Sequence, residues 1–349
     1  MSASDCADPG LFTHDPADMD ALRRTLAARP DASSLPQLAL RRVTAGPDAL
    51  FALPGVLAEV AGDGALSVLA VQDRRPFVRE GADLKPIVRG ILRDAGFAVE
   101  LLELGGEQFD LHSDFDEVER VRSRLRGDRV ALALGSGTVC DITKHACFEY
   151  ERATSVHIPF VVVPTANSVV AFGSGLATIA KEGVKRTWPS RLPDALVLDA
   201  RVLRDAPFEY TLGGVGDLAV IAVSFADWFL GSLLGVEAFV RAAFDIVADV
   251  RALLPSYADE FAERDLAGME TLAKLCTLGG FAPTLAGRST PMSGYEHSVS
   301  HMLDMSAHHF DRALAIHGSQ CGVSTIPCAI AWRRLLDDFN PADIDLDAC

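Results

Sequence analysis

The chain has 349 residues, 49% of them hydrophobic and 23% charged, with a formal net charge of −16. That much apolar material fills one large or two ordinary domains and excludes a disordered or low-complexity chain. The acidic excess argues against nucleic acid and anionic membrane surfaces as main partners, because both require clustered Lys and Arg.

Residues 1–36 form an acidic lead-in, with one helix expected around 18–28. Its start, MSASDCADPGLFTHDPADMD, has the character of neither a signal nor a transit peptide. ALRRV then reads as a short strand and ALFALPGVLAEVAG as a helix. LSVLAVQD (66–73) is a Leu/Val-rich run ending on an acid, the pattern of a buried parallel strand. A helix over 84–95, the strand FAVELLEL (97–104), a helix over 114–125 and the strand RVALALG (129–135) follow. IPFVVVPT (158–165) and ALVLDA (195–200) complete the strand-like runs. Strands alternating with helices predict a Rossmann-like α/β domain, a parallel doubly wound sheet, over 37–203.

Beyond Pro207 the patterning turns helical over 216–234, 236–254, 266–279 and 293–305, so an all-α domain is expected over 204–349. No apolar run approaches 18 residues, which leaves no expected transmembrane helix. Seven cysteines, at 6, 140, 147, 276, 321, 328 and 349, contain no CxxC pair. With no leader in view, they fit reduced thiols in a cytoplasm.

Several stretches carry chemistry. LALGSGTVCDITKHACF (132–148) places Gly135, Ser136 and Gly137 between a strand and a helix, where helix-start N–H groups suit a phosphate. Asp141 falls in the first turns, and Lys144 one turn later is within reach of a phosphate. The pattern is neither Walker A nor GxGxxG, so a simple structural turn is the competing reading. Asp73, at a strand end, suits ribose hydroxyls or a solvated turn. In GYEHSVSHMLDM, His297 and His301 lie one turn apart on one helix face, the spacing of a paired-His metal site. Asp217 in GGVGDL and His317 in AIHGSQCGV would complete a carboxylate–imidazole set for Zn²⁺ or Fe²⁺. A lone Asp at the mouth of an apolar helix is, alternatively, an N-cap. His14, His112, His145 and His157 read as surface or satisfied histidines, and His308 and His309 as solvent-facing.

GSGTVCDITK, PTANS, GVKRTWPSRLPDALVLDARVL, GVGDL, SGYEHSVSHMLDM and HGSQCGV occur in an order that resembles the glycerol-1-phosphate dehydrogenase-like branch of the iron-containing alcohol dehydrogenase and dehydroquinate synthase superfamily. The resemblance spans about residues 38–335. It implies an oxidoreductase with its active site between the two domains, and NAD or NADP on Gly135, Ser136, Gly137 and Asp141. It also implies that Pro164, Thr165 and Ser168 lie near the nicotinamide, Asp73 at the ribose, and one divalent metal on Asp217, His297 and His317. His301 would then be a neighbour of the metal or a proton relay. Such relatives are commonly homo-oligomers acting on small molecules.

Two departures bear on substrate. Val170 and Ala171 stand where relatives carry an Asp-Gly pair, and Thr290 stands where they carry Arg, removing a bidentate anion donor. Arg288, Lys181, Lys185 and Arg186 are the possible replacements. The expected substrate is therefore an alcohol or carbonyl compound other than plain glycerol 1-phosphate, as in specialised biosynthesis. The alternatives are a shifted loop register with unchanged chemistry, a dehydroquinate-synthase-like cyclase using NAD catalytically, and a non-catalytic scaffold.

Overall fold

The computed structural model describes residues 10–62, 67–106, 111–182, 184–310 and 312–340. In chain order the strands are β1 (Arg42–Gly46), β2 (Ser67–Asp73), the two-residue β3 (Val78–Arg79) and β4 (Ala82–Asp83), β5 (Ala98–Leu104), β6 (Val130–Gly135), β7 (Phe160–Pro164), β8 (Leu176–Lys181), β9 (Val184–Pro189) and β10 (Ala195–Asp199). The helices of the first part are α1 (Met19–Ala27), α2 (Leu53–Ala61), α3 (Leu84–Asp94), α4 (Phe115–Arg122) and α5 (Gly137–Thr154). From Ala200 onward the described chain forms only helices as regular elements: α6 (Ala200–Asp205), α7 (Phe208–Ala219), α8 (Ile221–Leu233), α9 (Arg241–Ile246), α10 (Ala248–Ser256), α11 (Ala258–Glu263), α12 (Leu266–Ala286), α13 (Tyr295–His309) and α14 (His317–Asp338).

Six strands pair in parallel in the order β1-β10-β7-β6-β2-β5. β6, β7 and β10 are buried at every position, which is why their sequences are unbroken apolar runs. Period-2 alternation divides those side chains between two cores. Val68, Ala70, Leu132 and Leu134 meet α2 and α3 on one face. Leu69, Val71, Ala131 and Ala133 meet α4, α5 and the helical region on the other.

Acids just before helices act as their caps. Asp83 accepts from the Lys85 N–H, Asp114 from the Glu117 N–H, and the buried Asp199 from those of Arg201 and Val202.

Four expectations are corrected. β1 begins three residues after ALRRV does. The antiparallel hairpin β8–β9 was not anticipated, because β9 is mostly exposed and carries no apolar run. The 236–254 segment is broken into α9 and α10, with 236–240 outside any helix. Finally, α7 and α8 together (Phe208–Leu233) are long and apolar enough, by length and composition, to cross a bilayer, but 61% of their most apolar 18-residue stretch is buried in the fold, as in a core helix.

α14 crosses α7 at backbone contact. A Cβ on Gly216 would lie 2.2 Å from the Gly318 carbonyl oxygen, one on Gly318 only 1.9 Å from that of Gly213, and one on Gly322 2.8 Å from the Gly216 Cα. Only hydrogen side chains permit that approach. Gly231 in α8, by contrast, has open space around it. Gly231→Ala is expected to stabilise by up to about 1 kcal/mol through helix propensity. Gly216→Ala is expected to destabilise by about 1–3 kcal/mol through overpacking despite the same propensity gain. Denaturant midpoints of the two variants check this; equal shifts would mean that the crossing is not tight.

Candidate active site

Asp217 lies in the tenth position of α7, inside the helix, which corrects its reading as an N-cap. It is 4% exposed, and the burial raises its carboxyl pKa above the usual range, opposed chiefly by His297. Its Oδ2 accepts from the Val170 N–H at 2.8 Å. Its Oδ1 faces His317 Nε2 at 4.0 Å.

His297 sits in the first turn of α13. Asp227 on α8 holds that turn by accepting from the Tyr295 N–H at 2.7 Å, and Ser224 on the same helix donates to the Pro291 carbonyl just before it. The buried Glu296 lies 2.9 Å from His297 Nδ1, and also accepts from the Gly294 N–H. With Nδ1–H donated to that carboxylate, Nε2 of His297 keeps its lone pair for a cation.

His317 is the first residue of α14, and its Nδ1 lies 3.3 Å from Ser300 Oγ. Ser300 in turn donates to Gln320 Oε1 at 2.7 Å, and the Gln320 amide donates to Asp304 at 3.0 Å. This chain leaves Nε2 of His317 as the free donor. Burial, reinforced by His297, pushes the His317 pKa well below the ordinary imidazole value, which favours the neutral ligand form.

Asp217, His297, His317 and Cys321 each offer a ligand atom, and all four atoms lie within 4.8 Å of one another. One carboxylate oxygen and two imidazole nitrogens, oriented by Glu296 and Ser300, suit Zn²⁺ or Fe²⁺ in type and number. Cys321 and Glu296 were missed in the sequence. His317 and Cys321 are i, i+4 in HGSQC, the same signal that drew attention to His297 and His301. His301 stands apart from the four donors, its ring centroid 6.4 Å from that of His297 and 6.5 Å from that of His317, but it lines the same cavity. Burial lowers its pKa as well.

That cavity, about 300 Å³, runs from the donor cluster to the start of α5. Ser136, Gly137, Asp141 and Ser168 line it, as does Thr138. Gly135 and Pro164 pair across β6 and β7 behind it, and Thr165 donates its N–H to the Gly135 carbonyl. Asp73 lies at the neighbouring carboxyl end of β2, outside the cavity lining, and accepts from the Arg75 N–H.

Lys144 is a correction. Its ammonium is fully buried, donates to the carbonyls of Ala171, Ser174 and Leu176, and sits 2.9 Å from Asp141. A cation so saturated clamps the 171–176 loop to α5 and has no reach left for a phosphate. Asp141 shares the task by accepting from the Thr178 N–H on β8.

Arg288 is also corrected as a substitute for the absent arginine. It pairs with Glu237 at 2.5 Å, the carboxylate that Thr290 also contacts. Lys181 lies over the rings of Phe115 and Trp188. Of the four possible anion partners, Lys185 alone lines the cavity. His145 is buried among Phe115, Phe148 and Trp188, His157 bridges Glu151 and Asp194, and His14 meets Asp249. His309 is exposed, and the side chain of His308 lies outside the described residues.

Comparison with known proteins supports a shared ancestry. The sequence profile of iron-containing alcohol dehydrogenases matches residues 44–207. Glycerol-1-phosphate dehydrogenase (NAD(P)+) of Halalkalibacterium halodurans is 30% identical over 291 residues, 83% of this chain and 70% of that protein. The enzyme of the same name from Pyrococcus furiosus is 33% identical over 246 residues, 67% of this chain and 68% of that one. In fold, the chain is similar to sulfoacetaldehyde reductase from Bifidobacterium kashiwanohense in complex with NAD+, with a TM-score of 0.61, 15% identity, and 88% and 78% of the two chains covered. Glycerol dehydrogenase from Schizosaccharomyces pombe aligns with a TM-score of 0.59 at 18% identity, over 84% and 70% of the two chains.

The Glu296 contact predicts a tuned ligand. Glu296→Gln is expected to weaken zinc binding about 10–100-fold, the usual cost of disturbing a carboxylate behind a metal-bound imidazole. A chelator-competition titration measures this, and unchanged affinity would show that Glu296 only packs.

Proposed function

We propose, from the premise that the chain belongs to the iron-containing alcohol dehydrogenase family, that it transfers hydride between NAD(P)(H) and an alcohol or carbonyl compound with the help of one divalent metal. The observation that carries this reading is the convergence of Asp217, His297 and His317 on a cavity that also opens on Ser136, Gly137 and Thr138 at the start of an 18-residue helix.

Asp217, His297 and His317 would hold a metal ion whose Lewis acidity would lower the pKa of a substrate hydroxyl or polarise a carbonyl for hydride exchange with a bound nicotinamide. The chain's own residues supply the setting. The first-turn N–H groups of α5 offer donors to a dinucleotide phosphate. Glu296 and Ser300 fix which imidazole nitrogens face inward. The Val170 N–H holds one oxygen of Asp217 and so orients the other. His301, at the cavity wall with a lowered pKa, is placed to exchange the hydroxyl proton with solvent.

The substrate we infer is not plain glycerol 1-phosphate. Val170, Ala171, Leu176, Met292 and Ile316 give the cavity a largely apolar wall, where a carboxylate at 170 would have bound a polyol. With Arg288 and Thr290 engaged by Glu237, Lys185, a half-exposed cation 3.8 Å from Asp304, is the one that lines the cavity and could meet an anionic end. This favours a compound with an apolar flank and a single anionic or strongly polar terminus. A cyclase that eliminates phosphate would need a richer set of cations than this lining offers.

Two measurements test the reading. Asp217→Ala is expected to abolish stoichiometric metal binding and to lower kcat/KM on the order of 10³-fold, the worth of several kcal/mol of charge stabilisation. Full metal retention in that variant would remove the basis of the proposal. Lys185→Ala is expected to raise KM about 10–100-fold for a carboxylated or phosphorylated aldehyde, the range of one charge-assisted hydrogen bond, while leaving uncharged aldehydes unaffected. A nicotinamide absorbance screen of both classes with both reduced cofactors separates the cases.

A further inference from the structure

We propose that the metal centre has a fourth protein ligand, the thiolate of Cys321, which closes the coordination sphere and biases the site toward zinc and other thiophilic ions. The inference rests on the metal-dependent reading above and adds to it a residue of different chemistry.

The geometry carries the argument. Cys321 Sγ lies 3.6 Å from His317 Nε2, the nitrogen that faces Asp217, and farther, 3.9 Å, from Nδ1, the nitrogen engaged by Ser300. Tetrahedral zinc, with bonds of about 2.0–2.1 Å to nitrogen and about 2.3 Å to sulfur, holds those two donors roughly 3.6 Å apart. The sulfur therefore already stands at a coordination edge from the imidazole. It is also within 4.8 Å of the donor atoms of Asp217 and His297, which reach it from two other helices. A cysteine that merely packed one turn above a histidine on the same helix would owe no such distance to residues elsewhere.

The contrast with the other thiols is informative. Cys140, Cys147, Cys276, Cys321 and Cys328 are all free and buried, yet Cys321 is the one that joins the donor group. Cys321 is fully buried, next to Gly322, which packs against Gly216 of α7. On coordination the S–H bond gives its proton to solvent and the sulfur lone pair goes to the ion, so no oxidant or reductant is involved.

Two consequences follow. A carboxylate with two imidazoles accepts Fe²⁺ and Zn²⁺ alike, but an added thiolate favours Zn²⁺, Co²⁺ and Cd²⁺ over Mn²⁺ and Mg²⁺. Four protein donors also complete a tetrahedron, whereas three leave a position open. The substrate oxygen must then compete with Cys321 or enlarge the coordination number.

The test is cobalt substitution of the full chain, read by absorption. The wild-type protein is expected to bind one Co²⁺ and show a near-ultraviolet sulfur-to-cobalt charge-transfer band together with the visible bands of a tetrahedral ion. Cys321→Val and Cys321→Ser are each expected to keep Co²⁺ on the remaining three ligands, lose the charge-transfer band, and lose Cd²⁺ affinity relative to Mn²⁺ by at least about tenfold. One bound Co²⁺ without the band in the wild type overturns the Cys321 assignment and leaves the three-ligand centre standing. No Co²⁺ binding at all overturns both. Because the wild-type spectrum decides alone, a variant that fails to fold does not rescue the idea.

Discussion

The contact on which the active site depends is the backbone-to-backbone crossing of α7 and α14. Asp217 follows Gly216 directly, and His317 and Cys321 each directly precede a glycine that meets it, Gly318 and Gly322. Any side chain at those glycines would push the helices apart by an ångström or more, and the carboxylate and imidazole would no longer face one cation. α13 is referenced to the same frame through α8, where Ser224 and Asp227 hold the turn that delivers His297. Asp217 and two histidines 80 and 100 residues beyond it thus depend on one close approach and two side-chain anchors.

The other end of the cavity uses the opposite device. There a buried cation, Lys144, gathers three carbonyls and Asp141, and so fixes the 171–176 loop above the start of α5. Buried charge of that kind is tolerable only with near-complete pairing. It explains why the loop can place Val170 so that its N–H reaches Asp217 at 2.8 Å. Loop and carboxylate are therefore coupled: Val170 lines the cavity while its own backbone N–H orients Asp217.

The parallel sheet was legible in the sequence because burial on both faces leaves runs such as VALALG and FVVVP with no polar interruption. Hairpin β8–β9 was not, since its mostly exposed strand β9, with Lys185, Arg186 and Thr187 on it, resembles any polar loop. The site was partly legible. Asp217, His297 and His317 could be named from ordered motifs, but their convergence is a property of helix crossing that spacing does not encode. Lys144 illustrates the converse: its position after the glycine loop suggested a phosphate, and only the fold shows the carbonyls that occupy it. Cys321 was overlooked because cysteine in an apolar helix is ordinarily a small hydrophobe, and its i, i+4 relation to His317 gains meaning only when Asp217 arrives from another helix.

Collecting these groups has an electrostatic cost that the polypeptide alone does not offset. Burial holds the Asp217 carboxyl above its ordinary range and the His317 imidazole far below its own, so each is driven toward its neutral form. The same burial raises the Cys321 thiol. A divalent cation reverses the balance for all of them at once, because it favours carboxylate, neutral imidazole and thiolate together. An ion with affinity for this folded arrangement and little for the unfolded chain stabilises the fold by mass action. An ion held by Asp217 on α7 and His317 on α14 would brace the glycine-packed crossing from above. Metal binding at these donors would then be coupled to helix packing, and groups that are costly apart would help to keep the crossing closed.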